Sequence, residues 1–258
     1  MIIDNNKNLV RLAWDSEHFG FEVAQLDGNC LSQNELCLEL SRAKEIGFSL
    51  VSCITKSEID LSDNKLKYFS GQLVDKKVTY CVSVSNFFKF KTPCKLPVKE
   101  YPKGLPTEDI VLLGVTAGQY SRFRVDEQFP ENKFRELYTT WVKRDTLHET
   151  ADIVYVINDS NGEVVGMITL IKSNKGGRIR LCSVDEKYRE RGVGKLLIKT
   201  AHTWMKNSYC NYSKVATQIA NVSACKLYEK CGYHAIEKVN IYHFWVCNPI
   251  SQKNGICK

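Results

Sequence analysis

The stretch Val184 to Lys206, VDEKYRERGVGKLLIKTAHTWMK, sets Gly192 and Gly194 between an arginine-rich segment and an apolar run with helical spacing. At either position alanine would make a better helix by about 1 kcal/mol, so the glycines answer a need of the backbone. With the strand-like RIRLCSV just upstream, the order is strand, Arg189-x-x-Gly192-x-Gly194, amphipathic helix. A glycine side chain is a hydrogen, so backbone N–H groups in such a loop can approach phosphate oxygens, and the helix dipole adds positive potential at the same point. Two other phosphate loops are excluded. A Walker loop needs GxxxxGK[ST], and although Lys195 follows Gly194 the first glycine and the Ser/Thr are missing; a dinucleotide fingerprint needs three glycines as GxGxxG. On this loop alone, glycines that merely shape a tight strand-to-helix turn remain an alternative.

A chain of 258 residues holds one large domain or two of about 100 to 150 residues. With 43% hydrophobic and 25% charged residues, its composition is that of an ordinary globular protein. The beginning, MIIDNNKNLVRLAW, has no basic segment followed by an apolar run, which argues against a signal peptide. No stretch reaches the roughly 18 apolar residues of a membrane span, so a cytoplasmic chain without a membrane partner is expected. Eleven cysteines are scattered without a CxxC, and most sit in apolar runs, which reads as reduced core residues. The five histidines show no metal-ligand spacing, and no metal is expected. A net charge of +7 favours an anionic partner. The basic residues do not alternate with aromatics as a nucleic-acid groove requires, so a small phosphorylated ligand is the expected partner.

Four of the six prolines and five lysines fall between Phe88 and Asp109, a composition that suits an extended linker. The expected domains are 1–95, 96–250 and a tail, 251–258. Before the break, strands FEVAQLD, FSLVSCIT and QLVDKKVTYCVSV alternate with a helix from Ser32 as N-cap to Gly47 as stop and a short helix SDNKLKYFSG. After it, Thr107 caps a helix with Glu108 and Asp109 in its first turn. A second helix, Pro130 to Arg144, carries Phe134, Leu137, Tyr138 and Trp141 on one face. ADIVYVIND and VVGMITLIK form a hairpin around Asn161 and Gly162, which tolerate positive φ. The glycine loop's helix, strand KVATQIA, helix NVSACKLYEKCG and the paired segments YHAIEKV and IYHFWV complete the chain. The last of these either pairs with a second subunit, as in a homodimer, or is internal. LKYFSGQLVDKKVTYCV from Leu66 weakly echoes LYEKCGYHAIEKVNIYH from Leu227; if this is a duplication, only the second copy kept the glycine loop.

RIRLCSVDEKYRERGVGKLL resembles the signature of the GNAT acetyltransferase superfamily, [Q/R]-x-x-G-x-[G/A] after a strand, with Arg189, Gly192 and Gly194 at the signature positions. Asn221, Ala224, Tyr228 and Gly232 in NVSACKLYEKCGY match a second hallmark at the expected distance. WDSEHFGFEVAQLD, QYSRFRVDEQFPENKFRELYTTWV and KVATQIANVSACKLY look, more narrowly, like the TDP-fucosamine (dTDP-4-amino-4,6-dideoxygalactose) N-acetyltransferases across nearly the whole chain. The resemblance implies an α/β (α+β) GNAT fold, a mixed and largely antiparallel central sheet flanked by helices, preceded by a smaller degenerate GNAT-like α/β domain.

It also implies direct transfer of an acetyl group from acetyl-CoA to an amine, here of a dTDP-linked 4-amino-4,6-dideoxyhexose used in surface polysaccharide assembly. The same chemistry on another amine, such as an antibiotic or a protein N-terminus, and a non-catalytic acyl-CoA-binding module are the alternatives. The backbone of Arg189, Glu190, Arg191, Gly192, Val193 and Gly194 would hold pyrophosphate, with Arg189, Arg191 and Lys195 adding charge. Leu181, Cys182, Ser183 and Val184 would pair with the pantetheine arm as a peptide adds to a sheet edge, and Asn221 would contact CoA. Tyr228 would be the general acid, since a phenol near 10 can protonate a thiolate of reference pKa about 8.5 with a modest mismatch. Asp75 on the long strand would be the base, through water. Ser121, Arg122, Phe123 and Arg124 would line the acceptor site, Arg122 or Arg124 meeting the nucleotide diphosphate as a fork-shaped donor, with Trp14 and Phe19 stacking on base or sugar.

Overall fold

A computed structural model describes residues 9–87, 91–129 and 131–247. The first part runs β1 (Leu9–Arg11), α1 (Ala13–Phe19), β2 (Val23–Asp27), α2 (Gln33–Ile46), β3 (Leu50–Thr55), α3 (Asn64–Lys67) and β4 (Gln72–Ser83). There follow β5 (Val98–Glu100), α4 (Glu108–Ala117), α5 (Arg122–Val125), α6 (Glu131–Thr146), β6 (Ile153–Asn158), β7 (Val164–Ser173) and β8 (Gly176–Val184). The last elements are α7 (Val193–Asn207), β9 (Tyr212–Gln218), α8 (Val222–Lys230) and β10 (His234–Trp245). Pro130, expected at the start of α6, and the tail 251–258 lie outside the described residues.

The chain divides into two compact units. Of the described residues, unit 1 takes 9–77, 125–129 and 238–247, and unit 2 takes 78–124 and 131–237. Two of the changeovers fall inside strands, in β4 between Lys77 and Val78 and in β10 between Glu237 and Lys238, and the others flank 125–129; none is at the expected 95/96 break. Residues 91–100 are not a solvated linker either. Cys94 and Leu96 pack on the core of unit 2, and β5 pairs antiparallel with β6 from Val98↔Ile157 to Glu100↔Tyr155. Pro93 and Pro97 precede β5 and take no place in its ladder.

In unit 1, β2 and β3 run parallel and are joined by α2. Ser32 caps α2 in a reciprocal box with Glu35, and Leu36, Leu40 and Ala43 bury its inner face. The part of β10 from Asn240 to Trp245 pairs antiparallel with β3, so the segment IYHFWV is internal. YHAIEKV and IYHFWV are therefore one continuous strand, not a pair. Asn240, between the two segments, uses its side chain to donate to the Ser57 carbonyl at 3.1 Å.

In unit 2 the strand order is β4-β9-β8-β7-β6-β5, with β5 to β8 antiparallel and β8 parallel to β9. Thr107 has the extended backbone of a cap but makes no capping hydrogen bond. The β6–β7 turn is closed by Asp159 Oδ1, which accepts from the N–H groups of Asn161 and Glu163, and only Gly162 of the expected pair has positive φ. The core lies between the sheet and α7, with Leu197, Ile198, Ala201 and Met205 packed against Ile157, Ile168 and Ile179. Among the described residues nine cysteines are free thiols, whereas Cys247 is disulfide-bonded, a departure from the all-reduced expectation.

Candidate functional site

Strand β8 decides where a ligand can bind in unit 2. Its parallel ladder with β9 runs from Gly176↔Tyr212 to Ile179↔Val215 and stops, although β8 continues to Val184 and β9 to Gln218. On its other side β8 stays paired with β7 out to Val184↔Gly166. The register with β7 shifts where Ile179 faces Leu170 and Leu181 faces Thr169, leaving Arg180 as an extra residue, a β-bulge. The Leu181 N–H points to β7, donating to Thr169 Oγ1 at 3.1 Å. Backbone direction alternates along a strand, so the N–H groups of Cys182 and Val184 face the side that β9 has left. An extended amide-bearing chain can add there as a further strand.

The loop after β8 ends at the start of α7. Glu190 has φ +62° and Gly192 φ +85°, and left-handed residues within such a turn bring successive N–H groups to one side, as in an anion-binding nest. The first helical bond of α7 is Leu196 N–H to Gly192 C=O at 3.0 Å, and no side chain caps the end. The N–H groups of Val193, Gly194 and Lys195 therefore have no partner within the helix. Val193 itself is a core side chain. Arg189 is exposed and its Nε donates weakly to the Val184 carbonyl at 3.4 Å, while the Arg191 guanidinium lies over the Tyr188 ring.

The two glycines have separate reasons. At Gly192 a left-handed φ coincides with close approach of the chain: Thr92 Oγ1 donates to the Gly192 carbonyl at 2.9 Å, and an added Cβ would meet Pro93 Cδ and Thr92 Oγ1 at 2.8 Å. At Gly194 φ is ordinary, and a Cβ would sit 3.1 Å from Leu227 Cδ2, so this glycine admits helix α8. The Thr92–Pro93 approach was hidden in the sequence because the prolines there resembled a linker.

Tyr228 is on α8 and 5% exposed. Burial, then the nearby Cys182 and Tyr233, raise its phenol well above the ordinary range, so it stays protonated and remains a donor at neutral pH. Burial likewise pushes the Cys182 thiol up to about 12. A thiolate formed beside Cys182 would be disfavoured in the same way, which makes a proton donor useful there. The Tyr80 ring lies 6.0 Å from that of Tyr228, and the Tyr80 hydroxyl donates to Glu229 Oε1 at 2.7 Å. Asn221 caps α8, its Oδ1 accepting from the Ala224 N–H at 3.1 Å. Leu181–Val184, the 189–195 loop, Asn221 and Tyr228 thus belong to one unit.

The expected acceptor residues are placed as follows. In unit 2, Ser121 and Phe123 are buried, Phe123 meeting Trp141 edge-on; Arg122 lies over the Phe123 ring, and Arg124 is ion-paired with Glu131. In unit 1, Trp14 stacks on His18, and Phe19 is a core residue packed edge-on against Phe129. Asp75, also in unit 1, is buried on β4, 8% exposed. Among the described residues no group of three or more His, Cys, Asp or Glu is placed to hold a metal ion, and no helix is long and apolar enough to cross a membrane.

Residues 120–233 match the family described as the acetyltransferase (GNAT) family. N-alpha-acetyltransferase 30 of Mus musculus is 27% identical over 152 residues, 55% of this chain and 40% of that protein. The spore coat polysaccharide biosynthesis protein SpsD of Bacillus subtilis (strain 168) is 24% identical over 180 residues, 69% of this chain and 58% of that protein. The chain thus spans less than two thirds of the length of each. A crystal structure of a functionally unknown conserved protein from Staphylococcus epidermidis ATCC 12228 matches in fold, with TM-score 0.67 and 10% identity over 94% of this chain and 93% of the other. The fold is the GNAT fold, and the matches support a place in the GNAT superfamily.

Proposed function

We propose that the chain is an acetyl-CoA-dependent N-acetyltransferase whose acceptor is the amine of a nucleotide-linked amino sugar, a dTDP-linked 4-amino-4,6-dideoxyhexose. The observation that carries the reading is the coincidence, in one unit, of a strand edge abandoned by its neighbour, a helix start whose first N–H groups have no partner within the helix, and a buried neutral phenol. The amide-bearing pantetheine arm adds along Leu181–Val184, and its pyrophosphate takes the N–H groups of the 189–195 loop. A neutral amine attacks the thioester carbonyl carbon, and the C–S bond breaks. The electron pair leaves on sulfur, which takes the Tyr228 proton; the amine's surplus proton goes to a base, for which Asp75 through water is our candidate. A backbone N–H facing the open edge stabilises the developing oxyanion.

Two likenesses bear on the acceptor. The nucleotide-sugar reading is supported by the resemblance along nearly the whole chain and by SpsD, whose name places it in polysaccharide biosynthesis and which aligns with 69% of this chain. A protein N-terminus is the second reading, favoured by the likeness to N-alpha-acetyltransferase 30. A thiol-release assay with acetyl-CoA against dTDP-amino sugars, amino acids and peptides separates them. Activity confined to peptides would replace the first acceptor with the second. Tyr228→Phe is expected to lower kcat by about 10²- to 10⁴-fold while CoA binds as before; unchanged kcat would remove Tyr228 as the acid.

A further inference from the structure

We infer that Asp145 is a positioning residue: acting through Thr169 and Arg180, it fixes which backbone N–H groups of Leu181–Val184 face the open edge of β8. The inference rests on the acetyl-transfer reading for its consequence, though not for its geometry. Asp145 lies near the end of α6 and its side chain is fully buried. Both carboxylate oxygens are taken. Oδ1 accepts from Arg180 Nε at 2.8 Å and from Thr150 Oγ1 at 2.6 Å, and Oδ2 accepts from Thr169 Oγ1 at 2.7 Å. A carboxylate only accepts, so the single Thr169 hydroxyl proton is committed to Asp145, and its lone pairs are left for the Leu181 N–H. The chain of bonds therefore has one direction, set by the buried charge.

Its two ends are the two residues of the bulge, Arg180 through its side chain and Leu181 through its backbone. The bulge decides the phase of everything downstream, because one residue more or less in a strand turns each following group to the opposite side. With Arg180 extra, Cys182 and Val184 present N–H groups outward. Were Arg180 drawn back into register, Leu181 and Ser183 would do so, and the edge would offer its donors about one residue, roughly 3.3 Å, away from the required place. Nothing about a buried acid at the end of an amphipathic helix requires it to reach a strand on the opposite side of a bulge, yet these bonds span 24 and 35 positions of sequence.

The test uses the full chain and the variants Thr169→Val, which keeps shape and removes the hydroxyl, Asp145→Asn, and Thr169→Ser as the conservative variant. Amide hydrogen exchange is measured by NMR without any ligand. In the native chain the Cys182 and Val184 amides are expected to exchange at least about tenfold faster than those of Leu181 and Ser183; in Thr169→Val and Asp145→Asn the Leu181 amide joins the fast set, and in Thr169→Ser it stays slow. In thiol release, the same two variants lose at least about tenfold in kcat with CoA affinity changed by less than about threefold, and Thr169→Ser is restored. An exchange pattern unchanged in Thr169→Val overturns the inference, whatever the activity. So does a loss of kcat and CoA affinity in equal measure that Thr169→Ser does not rescue. A native chain that shows the exchange pattern but neither binds CoA nor releases thiol overturns the acetyl-transfer reading instead.

Discussion

Replacing His202 with glutamine tests how firmly α7, the helix behind the glycine loop, is held. His202 is 5% exposed, lies flat on Phe87 with ring centroids 3.6 Å apart, and has Nε2 3.1 Å from the Tyr233 hydroxyl, itself 2.7 Å from Ser213 Oγ. Burial lowers its pKa from 6.5 to about 4. The folded chain thus keeps this imidazole neutral down to about pH 4, whereas the unfolded chain takes up the proton below about 6.5. In that window the unfolded state binds more protons, so stability falls as pH falls, with a slope of about 1.4 kcal/mol per unit and a total near 3 kcal/mol. Above about 6.5 the contribution is fully present, and below about 4 no more is lost. Urea unfolding followed by tryptophan fluorescence, on the native chain and His202→Gln from about pH 7 to about pH 4, measures this. Glutamine does not titrate, so the native-minus-variant difference isolates His202 whatever the absolute stability of the variant. It is expected to shrink by about 3 kcal/mol on acidification; a difference constant within about 0.5 kcal/mol would refute the reasoning.

Gly192→Ala is expected to cost about 1 to 2 kcal/mol for its left-handed φ and to displace Thr92 and Pro93, which a Cβ would meet at 2.8 Å. A lower thermal midpoint and weaker CoA binding by calorimetry are the expected readings. Asp126→Ala should destabilise unit 1 by about 3 to 5 kcal/mol in chemical unfolding. It removes the acceptor shared by His243 Nδ1 at 2.7 Å and Trp245 Nε1 at 3.0 Å in a fully buried setting. Burial alone would raise the Asp126 carboxyl; the hydrogen bond and charge of His243, with Trp245 and the Gln128 N–H, outweigh it and hold it below the usual carboxylate range.

The glycine loop, the strand before it and the helix after it were legible because a local pattern, two glycines against a helical period, has a local cause. The two roles of those glycines were not, since Thr92 and Leu227 come to them from 100 and 33 positions away. Tyr228 was readable as a candidate from its motif, but its depth and the company of Cys182 and Tyr80 depend on long-range packing. Asp145 lies just past the expected helix end at Arg144, and nothing local in KRDTLHET points to Thr169 or Arg180, which come to it from 24 and 35 positions away. The course of β10 was misjudged because YHAIEKV and IYHFWV read as separate segments, whereas the strand runs unbroken from His234 to Trp245. Phe19 and Phe123, chosen as ligand-facing aromatics, are packed against other rings, the commoner fate of a large apolar side chain.

Both β4 and β10 are strands of 12 residues that begin in one unit and finish in the other. Whoever divides the gene at the apparent hinge near residue 95 will not obtain two independent cassettes. The leading fragment would carry away the Val78–Ser83 stretch that completes the trailing sheet, and the trailing fragment would keep the Lys238–Trp245 stretch that pairs with β3. A chimera must therefore exchange both strands together, because each has residues in both units.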